Sequence, residues 1–400
     1  MANTLLTPTA VTRKALMVLH QKLNFVGNIN RQYDDTYKNG DANVKGKFGP
    51  TLKIRLPNEY TVRTGITMSA QDTTETSTDL VVSTVKGVDL SFTSQELALS
   101  LDDFSDRILM PAMAVLAANI EADALLMARD VYNVYDGDAA AFSFASMSNA
   151  RQNLTDNLAP MSERKMLMNT NHATKFMIDT KGLFQDSKSI AEQYREGMIG
   201  RTGGFDTYEN TLVQPHTTGT AAKTTGYLTN GATQSGSTIV VDTGTTTFLI
   251  GDVITFAGVF RVHPETKVST GALQQFVVTA NSGASATSLS ISPAVVATGG
   301  RQNVSNTIAD NSAIVKVGAG ASETLVQSLA FHKDAFTFVT ADLPLPDGTD
   351  WARREVYDGI SMSLVRDFSI SDRSFPCRID VLYGYKAIRP QLAVRVHNDA

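Results

Sequence analysis

Residues 251–278 read GDVITFAGVFRVHPETKVSTGALQQFVV. Two runs of β-forming residues flank the turn Pro264-Glu265-Thr266-Lys267, the pattern of an antiparallel hairpin with an outward-facing turn. Ile254 and Phe256 share one face of the first run. Phe276 and Val278 share one face of the second. Alternation of this kind assigns these four side chains to a core. The surrounding residues, 221–310, are rich in Thr, Ser, Gly and Val and nearly free of charge. Within them the short runs TIVVD, VITFAG, VFRV, QFVVTA and SLSIS recur between Gly- and Asn-rich turns. Short strands at close spacing predict a small antiparallel barrel or sandwich.

The flanks differ. Before 221 the chain mixes helical and strand patterns, and from about 312 the mixture returns with AIVKV, LAFHKDAFTFVTADLPLP, SMSLVRDFSI and RIDVLYGYKAIRPQLAVRV. In the last segment Ile379, Val381 and Tyr383 alternate against Asp380 before a turn expected at Gly384. The β-rich stretch therefore reads as an insertion into a host domain. Loop-closure entropy grows slowly with length, so a surface loop can carry such a module.

Upstream, AVTRKALMVLHQKLNFVGNIN places Leu16, Leu19, Leu23 and Val26 at helical spacing. The run PTLKIRLPNEYTVRTG sets Leu52, Ile54 and Leu56 against Lys53 and Arg55, and STDLVVSTVKGVDLSF reads as its return strand. A long hairpin with a polar, thinly packed tip is a liability unless another subunit covers it. Thr93 to Glu96 has capping-box spacing. Beyond it Leu109, Met113, Leu116, Ile120, Ala124, Met127 and Val131 step by threes and fours. A helix from about Asp103 to Tyr132 would run roughly 45 Å, with Pro111 kinking it or marking its start. SMSNARQNLTDNL, RKMLMN and NHATKFMIDT then read as helix, strand and helix, and GRTGGFDTYENTLVQPHTTGT as turns.

Four hundred residues favour more than one domain. A composition of 42% hydrophobic and 19% charged residues fits a soluble globular chain, and the net charge of −5 argues against a dedicated nucleic-acid binder. One cysteine, Cys377, excludes an internal disulfide and a thiolate metal site. No stretch reads as a membrane span, and the N-terminus lacks the layout of a signal peptide. The histidines 20, 172, 216, 263, 332 and 397 show no metal-ligand spacing. VKVGAGASE carries Glu323 where a dinucleotide loop needs its third glycine, GRTGGF lacks the Gly-Lys-Ser/Thr of a phosphate loop, and GISMS lacks the last glycine of a nucleophile elbow. The acidic stretch DTTETSTD has no calcium-loop spacing. No enzyme motif and no cofactor site emerges. A strut helix, a hairpin needing a partner and a grafted β-module point to an assembly subunit.

The order of segments resembles the major capsid (coat) protein of tailed bacteriophages, in the podovirus-type branch with an inserted β-barrel. TPTAVTRKALMVLHQKLNFVGNINRQYD is similar to its N-arm, KIRLPNEYTVRTG to its extended loop, and ELALSLDDFSDRILMPAMAVLAANIEAD to its spine helix. EQYREGMIGRTGGFDTYENTLVQPHTTG resembles the lead-in to the insertion, and residues 251–278 resemble the insertion core. LAFHKDAF and RIDVLYGYKAIRPQLAVRV resemble the return to the host.

The resemblance implies an α+β chain with the tailed-phage capsid fold. Its expected parts are an N-arm (1–45), an extended hairpin (46–92), a peripheral domain with the spine helix (93–145), and an axial domain in two parts (146–220 and 311–375). The inserted barrel would take 221–310, and a C-terminal strand (376–400) would return to the peripheral domain. It also implies hexamers and pentamers of an icosahedral head around double-stranded DNA, assembled in the host cytoplasm. Partners would be further copies, a scaffolding protein and a portal, with no cofactor, catalysis or membrane. The sequence starts almost at the N-arm, so a separate scaffolding protein is expected. Lys53, Arg55 and Arg63 are candidate cations for Asp102, Asp103 and Asp106 of a neighbouring copy, with plain solvation as the alternative. A glycan-binding surface protein and an enzyme with an unrecognised site remain rivals. The first would need an exposed aromatic platform, and the only tryptophan, Trp351, lies outside the β-module.

Overall fold

A computed structural model describes residues 23–31, 51–68, 70–71, 75–93, 110–137, 140–180, 200–357, 360–371 and 374–398. The chain forms two compact units. One comprises Met1–Ile54, Ser77–Leu125 and Phe336–Lys386; the other comprises Arg55–Thr76, Leu126–Ala335 and Ala387–Ala400.

In the first unit helix α1 spans Met110–Leu125. Met113, Leu116, Ala117, Ile120 and Ala124 are buried along one stripe, as the spacing predicts. The expected run to Tyr132 is shorter than read. The chain tightens into a 3-10 turn at Leu126–Asp130, and Val131 and Tyr132 lie beyond it. Residues 103–109 and 94–96 lie outside the described residues, and Thr93, the expected first residue of a capping box, ends the strand Thr84–Thr93. Pro111–Asp130 is long and apolar enough to cross a membrane by length and composition, contrary to the expectation that no stretch would be. More than half of it is buried within the fold, as in the core helix of a soluble protein. A carboxylate, Glu121, is fully buried on α1 and accepts the backbone N–H groups of Phe25 and, at 3.2 Å, Val26. This fixes the 3-10 turn Val26–Asn28. Asn30 then bridges Thr337.

The strand Ser374–Ala387 is the spine of this unit's sheet. Phe336–Ala341, Ile360–Arg366 and Trp351–Tyr357 extend the sheet, and Thr84–Thr93 pairs along Ser374–Ala387 from Thr84↔Tyr383 to Thr93↔Ser374. The expected return strand 77–92 is therefore two strands. Ser77–Val81 pairs with Thr51–Arg55, while Thr84–Thr93 joins the large sheet. Ile379, Val381 and Tyr383 are buried, but Gly384 is no turn. A Cβ there would stand 2.3 Å from the Val81 carbonyl oxygen, so glycine permits a close backbone approach within a continuing strand.

The second unit is built on a six-stranded sheet. Its order is Val134–Asp136, Ala393–His397, Gln327–His332, Arg164–Met168, Phe205–Glu209, Arg201–Thr202. Helices α2 (Phe144–Asp156, with Ser143 in a capping box) and α3 (Thr170–Thr180) belong to the same unit. Every residue of Gln327–His332 is buried, as in a central strand covered on both faces. Two expected boundaries move. Phe336–Lys386 belongs to the first unit and Gln327–His332 to the second, and Ala393–His397 stands in this sheet while Ser374–Ala387 stands in the other. The 3-10 turn Lys333–Ala335 marks the crossing, and the Ala335 carbonyl accepts both Ile388 and Arg389 N–H.

The barrel also belongs to the second unit. Its strands are β1 (Thr224–Thr229), β2 (Gly236–Asp242), β3 (Val253–Val262), β4 (Ser269–Val278), β5 (Ser288–Val295) and β6 (Ala313–Lys316). They close in the order β2-β5-β4-β3-β6-β1. Ile254 pairs with Phe276 across β3 and β4, so both point into one core. Ile254, Phe256, Phe276 and Val278 are fully buried there with Ile239, Val241, Phe248, Leu289 and Ile291. The turn between β3 and β4 is held by His263, whose Nδ1 accepts the N–H groups of Glu265 and Thr266 at 3.2 and 3.3 Å. The barrel does not end at 310. AIVK, read as host, forms β6 and pairs with β3 and β1. Without it those two strands would be raw edges.

Candidate assembly interface and the seat of the barrel

Residues 56–68 and 70–71 leave the strand pair Thr51–Arg55/Ser77–Val81 with almost no apolar cover. Val62, Ile66 and Met68 are 93%, 99% and 81% exposed. A lone exposed apolar side chain is ordinary; three within seven residues, beside a half-exposed Tyr60, form a patch. The segment is not loose along its length. Gln71 accepts the Thr61 N–H at 2.9 Å and donates to its carbonyl at 2.5 Å. Arg63 donates to the carbonyls of Gly65 and, at 3.2 Å, Thr67. Gly300 meets the Glu59 carbonyl so closely that a Cβ would lie 2.4 Å from it, and Lys267 stands 3.8 Å from the Glu59 carboxylate. The backbone is shaped, while its apolar side chains face solvent.

Of the predicted contact residues, Lys53 and Arg55 are exposed on Thr51–Arg55, and Arg55 lies 3.4 Å from Glu75 of its own chain. Both partners are well exposed, so the pair contributes little. Asp102, Asp103 and Asp106 lie outside the described residues.

A second polar centre forms where the barrel meets the six-stranded sheet. Apolar contact comes from Tyr132, Val134, Val253 and Val277, with Val317 against them. Gln275 of β4 hydrogen-bonds both the N–H and the carbonyl of Val134, at 2.8 and 2.9 Å, like an added strand residue. Asp252, 1% exposed, accepts from His216 Nε2 at 2.9 Å, Gly219 N–H at 3.0 Å and Leu249 N–H at 2.9 Å. Lys316 of β6 is equally buried and donates to Thr218 Oγ1 at 2.9 Å and the Gly320 carbonyl at 2.6 Å. Arg395 reaches up from the sheet. Its Nε donates to the Val131 carbonyl at 3.0 Å, at the end of the 3-10 turn, and its Nη2 to the Gly251 carbonyl at 2.8 Å.

Burial governs the titration of this centre. It brings the Arg395 guanidinium down to about 10, against the opposing pull of Asp252. It lowers the Lys316 ammonium and the His216 imidazole, the latter despite its bond to Asp252. It takes His172 down to about 4, and His397 well below the ordinary histidine range, where Arg395, His216 and His172 add their repulsion. Elsewhere burial pushes the Cys377 thiol up to about 11, which leaves it protonated and inert at neutral pH. Among the described residues no group of His, Cys, Asp and Glu could hold a metal.

The sequence reading missed this centre, because its members are spread over residues 216 to 397. The available signal was charge inside apolar β-runs: Lys316 in AIVKV, Arg395 in LAVRVH, and Asp252 ahead of VITF.

Residues 28–396 match a family model described as P22 coat protein, gene protein 5. The chain is thus a phage coat protein, a structural component of the virion and not an enzyme. It belongs to the P22 coat protein family. No curated protein sequence matches it. Among solved structures it is similar to one from Mycobacterium phage Che8, with 13% identity, a TM-score of 0.50, and coverage of 93% of this chain and 90% of that one. That likeness is one of fold. Weaker matches are the asymmetric unit of the bacteriophage PhiM1 mature capsid (11% identity, TM-score 0.44, 88% and 82% covered) and the head of Helicobacter pylori bacteriophage KHP40 (8%, 0.43, 87% and 84%).

Proposed function

We propose that this chain is the major coat protein of a tailed-phage head. Copies would form the hexamers and pentamers of an icosahedral shell around double-stranded DNA, assembled in the host cytoplasm on a scaffolding protein and opened at one vertex by a portal. The architecture would be the α+β capsid fold with its N-arm, extended loop, peripheral and axial domains. The exposed Val62, Ile66 and Met68 carry the reading beyond family membership. Burying a valine-, isoleucine- or methionine-sized side chain is worth about 1.5–3 kcal/mol, and a second copy lying under this segment would gain it. Lys53, Arg55 and Arg63 are the cations the same segment would bring towards Asp102, Asp103 and Asp106 of that neighbour. The barrel, with Ile254, Phe256, Phe276 and Val278 at its core, would brace the subunit and the shell.

The test is electron microscopy and light scattering of the purified chain with and without its scaffolding protein. Wild type should give shells or capsomers. The variant carrying Val62→Asp, Ile66→Asp and Met68→Asp should fold as wild type but stay unassembled. Normal shells from this variant would refute the role given to the segment. Normal shells after charge reversal of Lys53, Arg55 and Arg63 would leave those charges merely solvated.

A further inference from the structure

A histidine, His397, lies on the sheet face that seats the barrel, and His216 lies in the seat itself. His397 and Arg395 are two residues apart on one strand, so their side chains leave the same face. His397 stands opposite Gln327 on one neighbouring strand and Asp136 on the other. Both ring nitrogens of His397, Nη1 of Arg395 and Oε1 of Gln327 are buried without a hydrogen-bond partner. His216, in the chain that leads into the barrel, and His172, on α3, act on His397 from the surrounding elements. His172 acts through the sheet from its other face: it stands 2.7 Å from Ser328 Oγ, whose residue pairs with Val396, and is stacked on Phe142 at 4.8 Å.

The charges around His397 decide what a proton there would do. Arg395 is a fixed cation on the same strand, with Arg129 close to it. The carboxylates of the adjoining elements are engaged elsewhere. Asp252 serves His216 and two backbone N–H groups, Asp136 takes the Gly318 N–H at 3.0 Å, and Glu323 takes the Gly320 N–H at 2.8 Å. Asp130 acts on Arg395. A proton on His397 would set a second buried cation beside Arg395, in a place where neither ring nitrogen has a hydrogen-bond partner.

We propose that His397 is the trigger of an acid-sensitive latch: its protonation against Arg395 unseats the barrel from the six-stranded sheet while the barrel core stays folded. The direction follows from linkage. His397 is held neutral in the folded chain, so the unfolded or unseated chain binds more protons. The seat is at full strength above about pH 6.5, the ordinary histidine value, and weakens as pH falls below it. His216, held neutral in the same way and bonded to Asp252 in the seat, steepens the loss. The inference concerns the subunit itself and stands whether or not the chain builds shells.

The test is amide exchange of the full chain between pH 7.5 and 4, expressed as protection relative to intrinsic rates. In wild type the seat segments Val134–Asp136, Gly251–Val253 and Ala393–His397 should lose protection at a higher pH than the barrel strands β2 and β5. His397→Gln should move the midpoint of seat opening down by about one pH unit or more, whereas His332→Gln, outside the cluster, should leave it in place. Equal midpoints for wild type and His397→Gln would overturn the proposal, and so would simultaneous loss of seat and barrel core. Should His397→Gln fail to fold at pH 7.5, the wild-type imidazole resonance of His397 decides. Titration in step with seat opening supports the latch. Titration near pH 6.5 with the seat still protected overturns it.

Discussion

Replacing Phe256 by alanine should cost about 3–5 kcal/mol, the range for truncating a buried phenylalanine. The structure places it at the full end of that scale. Phe256 is fully buried among Ile239, Leu289 and Ile314. Its ring meets Phe276 edge to face, with centroids 5.5 Å apart and planes at 61°. Such a pair adds about 0.5–1.5 kcal/mol beyond area burial. Phe276→Ala should therefore cost a similar amount, and the double variant should fall short of the sum by about the pair energy. Phe256→Leu, which keeps most of the volume, should lose clearly less. Tryptophan emission is the wrong probe, because Trp351 lies on a strand of the other unit. Amide exchange in graded denaturant reads the barrel directly, through the opening free energy of β3 and β5. Two findings would refute the core assignment: an alanine variant within about 1 kcal/mol of wild type in β3 and β5, or normal yield and normal shells from both alanine variants.

Two further substitutions probe buried polar groups. Glu121→Gln removes the charge from the acceptor of the Phe25 and Val26 N–H groups. It should cost about 1–2 kcal/mol and raise exchange at those two amides while the barrel is untouched; unchanged exchange there would count against the anchoring role. Tyr227→Phe removes a hydroxyl that donates to the Thr246 carbonyl at 2.6 Å and accepts the Ala286 N–H at 3.0 Å. It should cost about 1–3 kcal/mol and expose the Ala286 amide to exchange, and wild-type thermal stability would contradict this.

Local pattern carried some features into the structure and tertiary context decided others. Ile254, Phe256, Phe276 and Val278 could be read because strict alternation leaves one face for the core. Helices α2 and α3 begin within two residues of their expected starts, and Ser143 caps α2 with its own side chain. The residues lost to sequence reading were those whose partners are distant in the chain. AIVK has the same alternation in a host strand as in a barrel strand, and only the open edges of β3 and β1 assign it. The break at Val82–Ser83 is invisible in STDLVVSTVKGVDLSF, since β-propensity continues through it; the partner strand Ser374–Ala387 imposes it. The polar seat needs His216, Asp252, Lys316 and Arg395 to meet from four separate segments, and spacing rules detect only ligands close in sequence.

The seat also bears on how the subunit folds. The chain enters the barrel after Thr217 and leaves it before Thr324, and these two residues pair with each other. Thr218 N–H then bonds the Glu323 carbonyl at 2.8 Å. Two residues 107 positions apart in the chain thus meet in one strand pair. Closing so long a loop from the unfolded chain costs about 4 kcal/mol by the logarithmic law. The host sheet must meet that cost to pair Gln327–His332 with Arg164–Met168, unless the barrel is already folded. A folded barrel holds its two ends side by side and leaves only short links to close. We therefore predict that the host strand waits for the barrel. In pulse-labelled refolding, Leu329, Ala330 and Phe331 should gain protection after β3 and β5 in wild type, and at least tenfold more slowly in Phe256→Ala, a delay of about 1.4 kcal/mol in barrier. Equal rates for these three amides in the two proteins would show that the sheet closes without help from the barrel.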